Sequence, residues 1–282
     1  MKISIASYSF HGLLAEGKID VFGYLESCKY RYGLDTADLW NGIVGTTNEG
    51  TILKVRQEAD ARGLTIVNYH VDGVHLWEDD PETRKRNYHN ALVHLKTAVA
   101  LGAKTVRIDT GGKIGPASEE QFDYLTRRYS EYSRFAADHG FTVGPENHWG
   151  LSLISDTMVR LAQAVEHPGY GILLHLGHWE DCASEVGDAK LAPWAVHTHV
   201  DANLCRGHLQ ERMQIVIDAG YSGYWGVEHH SAQNEYAETA VQVAEVRRVL
   251  SRTIWNAQSA QTLNRVTVKE GNPLLTPSQE RG

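Results

Sequence analysis

One local join recurs along this chain and limits what it can fold into: a helical stretch closes on glycine and a short apolar strand begins at once. It stands at Arg31-Tyr32-Gly33-Leu34, Ala61-Arg62-Gly63-Leu64, Ala100-Leu101-Gly102-Ala103, Asp138-His139-Gly140-Phe141 and Asp218-Ala219-Gly220-Tyr221, with His167-Pro168-Gly169-Tyr170 as a variant. Glycine suits the residue closing a helix, which often turns left-handed at a cost to other residues. The strands are predicted at 2–7, 34–39, 64–70, 104–109, 141–146, 170–175, 194–200 and 223–228. Several are apolar on both faces, as in Thr65-Ile66-Val67 and Gly171-Ile172-Leu173-Leu174, the pattern of a parallel sheet covered by helices.

Helices fill the gaps. Asp80-Pro81-Glu82 reads as an N-cap followed by proline, and Ala91, Leu92, Leu95, Ala98 and Val99 form one apolar stripe behind it. Ser118 and Gln121 have the spacing of a capping box, and a last helix is predicted from about 235 to 256. A doubly wound sheet also alternates strand and helix. Eight units of roughly 33 residues favour an α/β fold of the (β/α)₈ barrel type. The barrel is expected over residues 1–264, with a short irregular C-terminal tail over 265–282, where Pro273 and Pro277 stand among polar residues.

Composition narrows the function classes. Of 282 residues, 27 are Lys or Arg and 35 Asp or Glu, a formal charge of −8, which argues against a nucleic-acid partner. Apolar runs reach about six residues, where a membrane span needs about 20, and the first residues lack the apolar core of a signal peptide. Three cysteines without C-x-x-C spacing fit a reducing compartment, so a cytoplasmic location is expected.

Chemistry in such a barrel lies where the strands end. There the chain reads Glu146-Asn147-His148-Trp149, His175-Leu176-Gly177-His178-Trp179, His197-Thr198-His199-Val200-Asp201 and Glu228-His229-His230. Four consecutive strands thus stop at Glu146, His175, His199 and Glu228, spaced 29, 24 and 29 residues apart. Each interval is close to one βα unit, so the four converge on the barrel axis. Two imidazoles and two carboxylates suit a divalent transition ion better than Ca²⁺ or Mg²⁺. Alternation points His197 and His199 the same way, so either can be the ligand.

With these residues, over about residues 1–255, the chain resembles the xylose-isomerase-like barrel superfamily of sugar isomerases and epimerases, inosose dehydratases and related lyases. In that family these positions hold one divalent metal, usually through Glu, Asp, His and Glu. The resemblance implies Glu146, His175, His199 and Glu228 as ligands. His175 departs from the usual Asp, which raises the site charge by one unit and favours softer ions: Mn²⁺ is expected, with Co²⁺, Fe²⁺ and Zn²⁺ also suited. A lysine often follows the strand-seven histidine, where this chain has Asp201.

The activity implied is a metal-dependent isomerase or epimerase of a sugar, keto-sugar or cyclitol. Glu146 and Glu228 would move a proton next to a carbonyl through a metal-stabilised enediolate, with His148 as an additional base. His178 matches a family histidine that contacts substrate hydroxyls, and Arg206 stands near a family arginine that orients substrate oxygens. His70 ends strand three and is expected to line the pocket. Trp149 and Trp179, with Trp40 and Trp77 near other strand ends, suit stacking on a ring. Arg107 and Asp109 read as an internal ion pair. A lyase shares the first step: an inosose-type dehydratase, or a 3-keto-C-glycoside-cleaving barrel, which works with a smaller second subunit. Otherwise a homo-oligomer is expected. A non-catalytic sugar-binding accessory subunit, its site degraded at His175, is a third reading. The apurinic-site endonuclease branch needs three zinc ions and a basic face, against the −8 charge.

Overall fold

The computed structural model describes residues 1–270, with side-chain surroundings over residues 1–252. Eight parallel strands appear where the joins place them: β1 (Ile3–Ile5), β2 (Thr36–Trp40), β3 (Thr65–Val71), β4 (Thr105–Ile108), β5 (Thr142–Gly144), β6 (Ile172–His175), β7 (Ala195–Val200) and β8 (Trp225–Val227). A helix follows each: Val21–Glu26, Glu49–Ala61, Pro81–Leu101, Glu119–Asp138, Ser155–Val165, Ser184–Leu191, Leu209–Asp218 and Glu235–Glu270. This is the (β/α)₈ barrel. Gly33, Gly63, Gly102, Gly140 and Gly220, the five predicted joins, all have positive φ.

The variant join works differently. Glu166 takes the left-handed conformation, and Gly169 is required by packing: a Cβ there would lie 2.0 Å from the carbonyl oxygen of Ser133. Asp80 caps Pro81–Leu101 and Ser118 forms the capping box with Gln121. The stripe on Pro81–Leu101 is narrower than its sequence suggests: Ala91, Leu95 and Ala98 are buried while Val99 is exposed. The last helix runs on through residues 265–270, which the sequence pattern placed in the irregular tail. Residues 271–282 of that tail lie outside the described residues. Among the described residues no helix is long and apolar enough to cross a membrane.

The strands form two four-stranded halves, β1-β8-β7-β6 and β2-β3-β4-β5, joined at two seams. Only isolated bridges cross these seams, Ala6 with Asp38 on one side and Val143 with Tyr170 and Glu146 with Leu173 on the other. A few main-chain bonds cross the second seam, Val143 N–H to the Gly169 carbonyl and Leu173 N–H to the Pro145 carbonyl among them, and side chains add to the closure at both. At the first seam the buried Tyr24 hydroxyl donates to the Ile5 carbonyl at 2.6 Å and accepts from the Asp38 N–H at 2.8 Å. This lies where the β2–β3 register shifts, between Ala37 and Asp38. At the second seam the Asn147 side chain acts as a backbone surrogate. Its amide donates to the carbonyls of His175 (2.7 Å) and His178 (2.9 Å), and its oxygen accepts from the His175 N–H (2.7 Å).

Removing the Tyr24 hydroxyl leaves a buried carbonyl and a buried N–H unpaired. Tyr24→Phe is therefore expected to lower the unfolding free energy by about 1–3 kcal/mol, read from urea denaturation. An unchanged midpoint would mean that the seam is held otherwise.

Candidate metal centre

The four residues singled out at the strand ends come together. Glu146 Oε1 lies 3.1 Å from both His175 Nδ1 and His199 Nδ1. Glu228 Oε2 lies 3.5 Å from the same two nitrogens. The four donor atoms all lie within 4.8 Å of one another. Metal–ligand bonds of about 2.0–2.1 Å set tetrahedral ligand atoms roughly 3.4 Å apart, so the spacing fits one small divalent ion. Glu146, His175 and His199 are at most 1 % exposed, while Glu228 keeps 5 %. His175 Nε2 is buried without a hydrogen-bond partner.

The two rings of His-x-His part company. His199 reaches the cluster, whereas His197 Nε2 lies 2.7 Å from the buried Asp38 Oδ2. Asp38 belongs to a polar layer that the apolar reading of the strands does not anticipate. Ser4 (β1), Asp38 (β2), Asn68 (β3), Thr105 (β4) and His197 and His199 (β7) are all buried, and side-chain hydrogen bonds link them.

The electrostatics match a cation site. Burial pushes the Glu146 carboxyl up, but His199, Arg107 and His148 outweigh it and hold the group well below the usual range. Burial raises Glu228 likewise, and His199, His230 and His175 bring it well below. Burial, with His178 beside it, pushes His175 down to about 4, against the pull of Glu146 and Glu228. His199 goes the other way: burial opposes its charge, but Glu228, Glu146 and Asp38 raise its affinity for a proton. A metal ion competes for that same lone pair.

Beside the cluster, Asp109, Glu146 and His148 form a second grouping of donors within 4.8 Å. A guanidinium already stands among them. Arg107 Nη1 lies 2.8 Å from Asp109 Oδ2 and 2.7 Å from Asp72 Oδ1, and its Nε lies 3.1 Å from Glu146 Oε2. The expected Arg107–Asp109 pair is present and extends to Glu146. His148 Nδ1 lies 3.3 Å from Asp109 Oδ2. Burial works against its charge, but Asp109 and Glu146 raise it to about 9. In the protein without metal these carboxylates favour the charged form of the ring.

The expected substrate contacts divide. His178 stacks on His175, ring centroids 3.7 Å apart, with Nε2 3.5 Å from Asp201 Oδ2 and part of its ring open. His70 is buried edge-on to His199 at 5.3 Å, and neither of its ring nitrogens has a hydrogen-bond partner. Arg206 lines a cavity of about 390 Å³ with Asp201, Asn203, His230 and Gln233. His230, not anticipated from sequence, links that cavity to the cluster, its Nε2 3.1 Å from Glu228 Oε2. Trp149 is half exposed and meets His75 edge-on at 4.5 Å.

Trp179 is buried, packs where a Gly187 Cβ would stand, and its indole N–H donates to Asp188 Oδ1 at 2.9 Å, which braces the turn after β6. Trp77 is buried under Arg84, and the Trp40 indole N–H donates to Asp72. Asn147, in the Glu-Asn-His motif, carried no role from sequence; an amide between two functional residues was its only signal.

This combination of a (β/α)₈ barrel with donors on four successive strand ends defines a class of barrel proteins with a candidate metal centre at the C-terminal face. The model of the xylose isomerase-like TIM barrel family matches residues 30–251, and the chain belongs to that family. Among similar solved structures is a D-psicose 3-epimerase with D-tagatose from Clostridium cellulolyticum H10, at 15 % identity and TM-score 0.70, covering 90 % of this chain and 99 % of that one. A probable 3-DHS dehydratase from Bacillus anthracis has 17 % identity and TM-score 0.68, covering 88 % of this chain and 99 % of that one. A xylose isomerase-like TIM barrel protein from Mycobacterium smegmatis, in complex with magnesium, has 15 % identity and TM-score 0.60, covering 80 % and 90 %. At such identities the likeness shows the fold. No curated protein matches the sequence.

Two outcomes are expected. Titrating the purified chain with Mn²⁺ should saturate at a single site, and at a hundred times Kd the ion should stabilise the fold by about 2.7 kcal/mol. A melting temperature unmoved by Mn²⁺, Co²⁺ and Zn²⁺ would refute the cation site. Without metal, His70 and His175 stay neutral in the folded chain down to about 4, against an ordinary value of 6.5. Stability is then lost as pH falls from 6.5 towards 4, because the unfolded chain takes up protons that the folded one refuses. His148 acts oppositely: its contribution is present below 6.5 and lost as pH rises through about 9. Urea midpoints of the metal-free chain over this range check both signs.

Proposed function

We propose that the chain is a divalent-metal-dependent isomerase or epimerase of a sugar, keto-sugar or cyclitol. The observation that carries this is the pair Glu146 and Glu228, each with one carboxylate oxygen aimed at the point shared with His175 and His199. A divalent ion bound there stabilises the negative charge that builds on a carbonyl oxygen when the neighbouring C–H proton leaves. The donor set favours Mn²⁺, with Co²⁺, Fe²⁺ and Zn²⁺ as alternatives.

The two carboxylates differ in freedom. Arg107 stands against the second oxygen of Glu146 and holds that side chain in place as an anion. Glu228 is the more open of the two and takes the proton from carbon. A replacement proton, passed from the His148 ring beside Glu146 by way of that carboxylate, reaches the other face or the neighbouring carbon, leaving Glu228 protonated and His148 neutral until both re-equilibrate with water. His178 and His70 present imidazoles to substrate hydroxyls, Arg206 orients substrate oxygens at the rim, and Trp149 offers a face to a sugar ring.

A second reading, elimination, is supported by His148. A donor held beside Glu146 can protonate a departing hydroxyl while the electrons of the broken C–H bond form the new double bond. The first step is unchanged, so the same chain can be tested for both.

Incubation in D₂O with keto-sugars, inososes and 3-keto-glycosides should place deuterium on the carbon next to the carbonyl, seen by NMR. The product spectrum separates isomer from elimination product. Glu228→Gln is expected to slow exchange by roughly 10²–10⁴-fold with the fold intact. Full activity in that variant would show that Glu228 is not the base. Metal-free, inactive protein that still binds sugar would support an accessory, non-catalytic role.

A further inference from the structure

We infer that Asp38, on β2, is the positioning residue for His199: it holds the Nε2–H of that imidazole so that the Nδ1 lone pair faces the donor cluster. The inference rests on the cation site argued above and deepens it. Asp38 is fully buried, and its Oδ2 lies 3.2 Å from His199 Nε2. A carboxylate only accepts hydrogen bonds, and His199 meets one at each ring nitrogen, Glu146 at Nδ1 and Asp38 at Nε2; a cation held by the cluster carboxylates would displace the Nδ1 proton and leave the proton on Nε2, where Asp38 accepts it. A neutral imidazole then has its lone pair on Nδ1 alone. That is the atom 3.1 Å from Glu146 Oε1 and 3.5 Å from Glu228 Oε2.

Asp38 is itself held on every side. Its Oδ2 also meets His197 Nε2 at 2.7 Å and accepts from Ser4 Oγ at 3.3 Å. Its Oδ1 accepts from Asn68 Nδ2 at 2.8 Å, and Asn68 Oδ1 accepts from Thr105 Oγ1 at 2.8 Å. Its main-chain N–H is bound to the Tyr24 hydroxyl. The carboxylate cannot turn away from His199 without breaking bonds to β1, β3 and β7.

Asp38, His197 and His199 also fall within the spacing of a metal grouping. Both Asp38 oxygens are already taken by donors from side chains, so the grouping is a closed hydrogen-bonded cluster. Gly226 on β8 leaves the crossing open: a Cβ there would lie 2.7 Å from His199 Cδ2 and 3.0 Å from Asp38 Oδ2. No side chain fits on β8 at that height without moving the pair.

The test uses the whole chain. Asp38→Asn keeps the shape and replaces one acceptor oxygen with a donor. Removing such a partner of a metal-ligating histidine costs about 10–100-fold in affinity, so the Mn²⁺ Kd should rise by that factor, and the visible spectrum of the Co²⁺-loaded chain should change. Circular dichroism should show the fold retained. If Asp38→Asn fails to fold, ¹⁵N-histidine NMR of the unmodified Zn²⁺-loaded chain decides: a proton on His199 Nε2 supports the inference, and a metal or a lone pair at Nε2 overturns it. Equal Mn²⁺ affinity in Asp38→Asn overturns this inference alone. An unmodified chain that binds no metal overturns it together with the cation site.

Discussion

Closure of the barrel is the constraint on which the rest of this molecule depends. Regular strand pairing stops at the β1–β2 and β5–β6 seams, where isolated bridges alone remain. Side chains reinforce the closure, the Tyr24 hydroxyl at one seam and the Asn147 amide at the other, where main-chain bonds such as Leu173 N–H to the Pro145 carbonyl also cross. Both seams border the candidate site. Tyr24 fixes the main chain of Asp38, which lies under His199, and Asn147 fixes the main chain of His175, next to Glu146. The same bonds that complete the cylinder therefore set the positions of the donor atoms.

Burying this much charge is costly unless each group is compensated. Compensation here is layered. Within the barrel Asp38 faces His197 and His199, with Asn68 and Ser4 filling its remaining acceptor sites. Above it the two carboxylates of the cluster face His175 and His199, with Arg107 against Glu146 and His230 against Glu228. At the rim the groups are more open: Asp201 meets His178, and Asp109 meets His148. Solvent access rises towards the C-terminal face, where a substrate would enter.

Family membership and the reading of the site draw on different observations. The family match covers most of the chain, and the similar structures agree in fold at 14–17 % identity. An epimerase and a probable dehydratase share that fold, so fold does not separate isomerisation from elimination. The local features of this chain are His175 at the end of β6, Asp201 after the strand-seven histidine, and His148 against Asp109. They set the charge around the donor cluster.

Much of this was legible in the sequence because it is local or periodic. The five helix-closing glycines, the caps at Asp80 and Ser118, and the polar residues ending four successive strands all follow from near neighbours or from the βα period, and the structure places them as that reading expects. Features that depend on contacts far apart in the chain were not legible. Asp38 reads as one polar residue in an apolar strand, yet it meets His199, 161 residues away. Tryptophans at strand ends read as pocket walls, and that Trp179 packs against Gly187 and donates to Asp188 was not visible in that reading. Sequence by itself determined the strand-and-helix order and which residues arrive at the C-terminal face, because spacing along the chain sets both. Only the tertiary structure decided which imidazole nitrogen faces the cluster and which side chains hold it there, because a hydrogen bond depends on distance and direction across the closed barrel.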